Sequence, residues 1–172
     1  DEELRALLDA AAAGPVAFGM AGAERALVYR LAVETGLRAG EIASLTRGSF
    51  RLDCPRPVVE VPGSQTKNRQ AAVLPLRVGT AALLAEHVRD KLPVARAFDM
   101  PPSWDTAAMV RFDLRAAGIP EATAQAMDFH ALRHTFITNL ARSGIHPKVA
   151  QDLARHSDIN LTLSRYTHTI LE

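Results

Sequence analysis

The chain has 172 residues, 48% hydrophobic and 23% charged, which is ordinary globular composition and excludes a disordered or low-complexity chain. It contains no run of about 18 apolar residues that would read as a membrane span. It opens on acidic Asp1-Glu2-Glu3, the wrong sign for a secretory leader. The single cysteine, Cys54, rules out an internal disulfide framework and fits a reducing cytoplasm. The net charge of +1 gives no general basic excess, so an anionic partner would have to be met by a few placed cations rather than by a basic surface.

The periodicity of Leu4, Leu7, Leu8 and Ala11 predicts a first helix that Gly14-Pro15 stops. A second runs from about Ala23 to Thr35, with Leu27, Val28 and Leu31 inward and Gly36 as its C-terminal stop. A short helix follows from Gly40 to Leu45. The segments Phe50–Leu52, Val58–Val61 and Ala72–Leu74 are β-prone and separated by Pro55, Pro57, Gly63 and a polar turn, which predicts a small antiparallel sheet of three strands. Helix is expected again over Val78–Lys91. A proline-punctuated loop, Phe98 to Trp104, precedes further helices over Thr106–Ala117, Phe129–Ser143, Pro147–Ala154 and Leu161–Tyr166. Gly118 and Gly144 sit where helices end, and Pro147 suits a first turn. The expected class is mainly α with one small three-stranded antiparallel sheet.

Four stretches carry chemistry. In Asp128-Phe-His-Ala-Leu-Arg-His-Thr135, Asp128 is a helix N-cap, and His130, Arg133 and His134 share one face of the opening turns. Read alone, this is either a capped helix with packed histidines or an anion site at a helix N-terminus. In Thr35-Gly-Leu-Arg-Ala-Gly-Glu-Ile42, Glu41 is placed to hold the Arg38 guanidinium, which is a structural ion pair or a positioned phosphate ligand. The tail from Leu153 to His168 sets His156 and Tyr166 ten positions apart. Gln65-Thr-Lys-Asn-Arg69 puts Lys67 on the polar turn of a hairpin, where a lysine is ordinarily solvated.

Taken in order, Arg38, Lys67, His130-x-x-Arg133, His156 and Tyr166 resemble the signature of the tyrosine recombinase, or phage integrase, family. The resemblance covers essentially all 172 residues, with His130-Ala-Leu-Arg-His-Thr-Phe-Ile-Thr-Asn-Leu140 and Arg165-Tyr-Thr-His168 its most specific parts. It implies that residues 1–172 are a catalytic domain, with an N-terminal DNA-clamping domain elsewhere in a longer protein. It implies double-stranded DNA at specific recombination sites as partner, a homotetramer on DNA, a monomer for this piece alone, no cofactor and no metal. The implied setting is the cytoplasm of a bacterium, at the nucleoid or phage-encoded.

The implied reaction is metal-independent strand cleavage and rejoining through a covalent 3′-phosphotyrosine. Tyr166 is the implied nucleophile, Arg38, Arg133 and His156 the phosphate ligands, His130 the base and Lys67 the acid for the leaving oxygen. His134 belongs to the motif with an expected structural role. Two departures stand out. Arg155 replaces the glycine common before the third-box histidine, which either alters the turn or adds a cation. The interval from His156 to Tyr166 is one residue longer than the commonest spacing. The alternatives are type IB topoisomerase-like relaxation and a DNA-binding regulator that does not cut. A zinc site at His130 and His134 is disfavoured, because Ala131 stands where a zinc protease carries glutamate and Arg133 would repel the ion.

Overall fold

Arg25, Ala26, Leu27, Val28, Tyr29, Leu31, Ala32 and Val33 are all buried, so the helix Gly22–Thr35 (α2) is covered nearly all round and serves as the axis of the domain. The computed structural model describes residues 2–66, 69–156 and 158–171, with the side chains of 165 and 167–171 left aside. Helix Glu2–Ala13 (α1) lies against α2 through Leu7 and Ala11. The left-handed turn at Gly36 (φ 66°) ends α2. A side chain there would also collide with Phe136, since a Cβ would sit 2.5 Å from its Cδ1. The end of α2 can therefore touch a later helix directly.

The short helix Ala39–Ser44 (α3) leads into strands Phe50–Arg51 (β1), Val58–Val61 (β2) and Ala72–Pro75 (β3), which form the expected antiparallel sheet in the order β1-β2-β3. The register pairs Phe50 with Val59, and Val59 and Val61 with Leu74 and Ala72. That places Val59, Val61, Ala72 and Leu74 on one buried face, as strand alternation requires. Helix Val78–His87 (α4) stops four residues short of the expected Lys91: Val88 caps it, single turns follow, and Pro93 bars the helical conformation at Leu92.

Helices Thr106–Ala116 (α5), Phe129–Arg142 (α7) and Pro147–Ala154 (α8) lie where periodicity puts them. Glu121–Ala126 (α6) is a helix the sequence reading misses. Six residues with one buried side chain, Ala124, are too short to show a period. The bidentate Arg115–Glu121 pair at 2.7 Å joins it to α5. The last helix, α9, spans Ile159–Leu171, longer at both ends than Leu161–Tyr166. No helix among the described residues is long and apolar enough to cross a membrane.

The interior divides in two. A large core joins α1, α2, the sheet, α4, α5 and the start of α7. A smaller one gathers Phe136, Ile137, Ala150, Ala154 and Tyr166 between α7, α8 and α9. Within the large core Arg25, Tyr29 and Asp113 are fully buried. The Arg25 guanidinium donates Nε to Asp113 Oδ2 and Nη2 to Oδ1, both at 2.8 Å, and Tyr29 donates its hydroxyl to Oδ2 at 2.7 Å. Arg25 Nη1 also serves the carbonyls of Pro15 and Met20, so one guanidinium ties the α1–α2 connection to α2 and α5.

Candidate active site

The site forms where the ends of α2 and α8 meet the starts of α3 and α7. Arg38 is the N-cap residue of α3, and its backbone N–H donates to Glu41 Oε2 at 2.9 Å, closing the first turn. Its side chain also reaches Glu41, Nη1 to Oε1 at 3.3 Å, so the expected Arg38–Glu41 pair is present. Asp128 caps α7 as expected, accepting from the Ala131 N–H at 3.0 Å. That turn orients Arg133 inward, where 1% of it remains exposed. Arg133 donates Nη1 to the Gly36 carbonyl and Nη2 to the Ala154 carbonyl, bridging the ends of α2 and α8. Its Nε is buried without a hydrogen-bond partner among the described residues.

Arg155, whose role the sequence left divided between a changed turn and an added cation, adds a guanidinium while keeping a left-handed turn of the kind glycine favours. It ends α8 in the left-handed conformation (φ 54°, ψ 42°), which a side chain adopts at a penalty of roughly 1 kcal/mol. Its guanidinium takes Glu41 in a two-pronged pair, Nη1 to Oε1 and Nη2 to Oε2, both at 2.9 Å. Burial pushes the Glu41 carboxyl upward, but the hydrogen bonds from Arg155 and the Arg38 backbone, with both guanidinium charges, hold it below the usual carboxylate range. Three guanidiniums, Arg38, Arg133 and Arg155, thus gather around one carboxylate. The Arg133 pKa is lowered to about 10, first by burial and then by the charges of Arg38 and Arg155. Arg133 stays protonated at neutral pH and stands in a place where an anion would offset the repulsion from Arg38 and Arg155.

His156 follows Arg155 and bonds through Nδ1 with Thr162 Oγ1 at 3.0 Å. Its pKa is lowered to about 4, by burial first and then by Arg133, Arg38, His130 and His134. The unfolded chain holds this proton up to about pH 6.5 and the folded one only below about 4, so the unfolded state binds more protons in between. Its contribution to stability is complete above the unfolded value and is lost as pH falls through the window toward 4. In urea melts, His156→Asn is expected to flatten the rise of stability with pH across that window. An unchanged slope would show that other groups set it.

A cleft of about 340 Å³ opens beside these groups, walled by Arg38, Ser103, Thr106, His130 and Arg133. His130 is exposed at its edge, and His134 meets it ring edge to face, with centroids 4.7 Å apart. Ser103 and Thr106, from the proline loop and the start of α5, are wall residues that no sequence signal picked out. Among the described residues no three His, Cys, Asp or Glu side chains are grouped to hold a metal ion. Of the six residues singled out from sequence, the structure therefore brings together Arg38, His130, Arg133 and His156. Lys67 lies outside the described residues. Tyr166 sits apart from the cleft's hydrogen bonds: it is 7% exposed in the small core, and its hydroxyl donates to the Ile145 carbonyl at 2.7 Å. Burial raises its pKa.

A fold of this topology with clustered guanidiniums, paired histidines and a tyrosine on the closing helix defines a class. The chain belongs to the phage integrase family, whose model matches residues 1–171. It is 30% identical over 154 residues to the tyrosine recombinase XerA of Saccharolobus solfataricus, covering 85% of this chain and 46% of that protein. It is 34% identical over 169 residues to the tyrosine recombinase XerC of Rhodospirillum centenum, covering 94% and 47%. The chain thus spans about half the length of these curated relatives. Among solved structures it resembles XerH site-specific recombinase bound to palindromic difH substrate in a post-cleavage complex, with a TM-score of 0.73 at 21% identity over 98% of this chain and 48% of that one.

Proposed function

We propose that this domain cuts and rejoins the DNA backbone as the catalytic part of a site-specific recombinase. The observation that carries the reading is the excess of guanidinium charge around one cleft, with Arg133 buried in it and Arg38 at its wall. Paired N–H donors on a rigid fork suit the non-bridging oxygens of a phosphodiester, where negative charge builds during attack. His156, neutral in the unliganded protein, gains a reason to bind a proton or to donate one once that anion arrives.

In the proposed reaction the Tyr166 phenol oxygen attacks phosphorus, the bond from phosphorus to the 5′-oxygen breaks, and a 3′-phosphotyrosine forms. The phenol proton passes to a base, for which His130 is the candidate. The departing 5′-oxygen takes a proton, for which Lys67 is the candidate by resemblance alone. A 5′-hydroxyl then attacks the phosphotyrosine and restores the backbone, so the covalent link conserves the bond and no ATP is required. Before attack the Tyr166 hydroxyl must leave the Ile145 carbonyl, giving up a hydrogen bond worth about 1 kcal/mol.

The proposal extends to the partner and setting: double-stranded DNA at specific sites in the bacterial cytoplasm, a tetramer on that DNA, and a further DNA-clamping domain in the complete protein. The decisive test is a DNA duplex taken from the junctions of the element that encodes the protein, nicked beside the scissile phosphate to trap the cut. With full-length protein in EDTA, a covalent protein–DNA band is expected from the wild type and none from Tyr166→Phe. Binding by gel shift with no covalent band from either would replace this reading with that of a regulator that binds without cutting. Relaxation of plasmid lacking recombination sites, without strand exchange, would favour a topoisomerase-like role.

A further inference from the structure

Glu41 is 3% exposed and has two cationic claimants. Arg155 grips both its oxygens at 2.9 Å, whereas Arg38 touches it through a single Nη1 at 3.3 Å. The Arg38 side chain is 29% exposed and makes no other hydrogen bond among the described residues, while that of Arg155 is 9% exposed. Arg155 is also held in a backbone conformation that glycine would adopt without strain, so its side chain is retained against a local penalty.

We propose that Arg155 is a positioning residue: by satisfying the buried Glu41 carboxylate, it keeps the Arg38 guanidinium available for a phosphodiester oxygen. This rests on the DNA-cleaving reading of the same site. Without Arg155, Glu41 stays buried and charged with Arg38 as its nearest cation. Arg38 then closes onto it in the two-pronged geometry that Arg155 now uses, and its donors turn away from the cleft. The Nη atoms of Arg155 are bonded to Glu41 and, at 3.5 Å, to the Gly36 carbonyl, and its Nε is buried without a hydrogen-bond partner among the described residues, so its paired donors face Glu41 rather than the cleft.

Two measurements test this. In the first, arginine-labelled protein is examined by NMR without DNA. Rotation about the guanidinium bonds is expected to be slow for Arg155 and fast for Arg38 in the wild type, and to become slow for Arg38 in Arg155→Gly. Unchanged rotation of Arg38 in that variant overturns the proposal whatever the enzyme does to DNA. In the second, full-length protein is assayed for single-turnover covalent cleavage of the nicked duplex. Arg155→Gly, which relaxes the turn, is expected to lower the rate at saturating DNA about tenfold or more, with affinity changed by less than about threefold. Adding Glu41→Gln, which removes the competing charge but can still accept from the Arg38 backbone N–H, is expected to restore most of the rate. Arg155→Lys should retain it in part. A loss that Glu41→Gln fails to suppress, or one seen mainly in affinity and its salt dependence, would assign Arg155 a scaffold or phosphate-binding role instead. Absence of any covalent product from the wild type would count against the cleavage reading alone, with the NMR result still deciding the arrangement of Arg38.

Discussion

Asp113→Ala is expected to destabilise the protein by about 3–5 kcal/mol, the usual consequence of stranding one partner of a buried ion pair. The variant would leave the Arg25 guanidinium at 0% exposure with no countercharge, and the Tyr29 hydroxyl without its acceptor. Arg25 has no easy escape, because its Nη1 is bound to the carbonyls of Pro15 and Met20 and its charge lies 5.6 Å from the Phe112 ring centre. A domain of this size has roughly 5–15 kcal/mol in total, so the loss is large enough to shift much of the chain toward the unfolded state at physiological temperature. Urea denaturation measures it. The replacement of both partners, Arg25→Met with Asp113→Leu, should be milder than Asp113→Ala, since it removes the buried charges together. If the double variant is the worse of the two, the pair contributes net attraction beyond its desolvation. A single-variant loss below about 1 kcal/mol would mean that Arg25 finds water.

Arg133→Lys is expected to lower the rate of covalent cleavage by about 10²–10³, corresponding to roughly 3–4 kcal/mol of transition-state stabilisation. The guanidinium spans the carbonyls of Gly36 and Ala154 and presents its remaining donors from a fixed plane. A lysine has one nitrogen on a flexible stem and can neither bridge both carbonyls nor offer a paired set to phosphate. Single-turnover cleavage measures the effect, and the melting temperature separates it from loss of fold. A rate within about threefold of wild type would remove Arg133 from the proposed machinery. Because the Arg133 pKa, though depressed to about 10, stays well above neutrality, loss of its charge is no part of the expected pH profile between about 6 and 8.

The sequence conveyed the frame wherever one signal dominates a segment. The amphipathic period located α1, α5, α7 and α8, and the alternation of Val59, Val61, Ala72 and Leu74 located the sheet. It failed where neighbours decide. The end of α4 depends on Pro93 beyond it, and α6 is too short to declare itself. The site was readable in its parts: the Asp128 cap and the Arg38–Glu41 pair follow from spacing within one turn. Contacts between distant segments carry no such trace. Nothing in the local sequence says that Arg155 meets Glu41, that Arg25 meets Asp113, or that Tyr166 rests on Ile145.

The separation of Tyr166 from the large core has a thermodynamic consequence. Local opening of a protein is graded by how much apolar surface each cooperative unit must expose. The unit that holds Tyr166 is a small patch formed with Phe136, Ile137, Ala150 and Ala154. Detaching α9 from that patch exposes far less than opening the body around α2, so the nucleophile candidate can be relocated while the scaffold carrying Arg38 and Arg133 stays shut. On the proposed reading, a phosphate receptor built on the larger body is combined with a nucleophile held in a shallower energy well, and the depth of that well sets how often an undocked molecule is chemically armed.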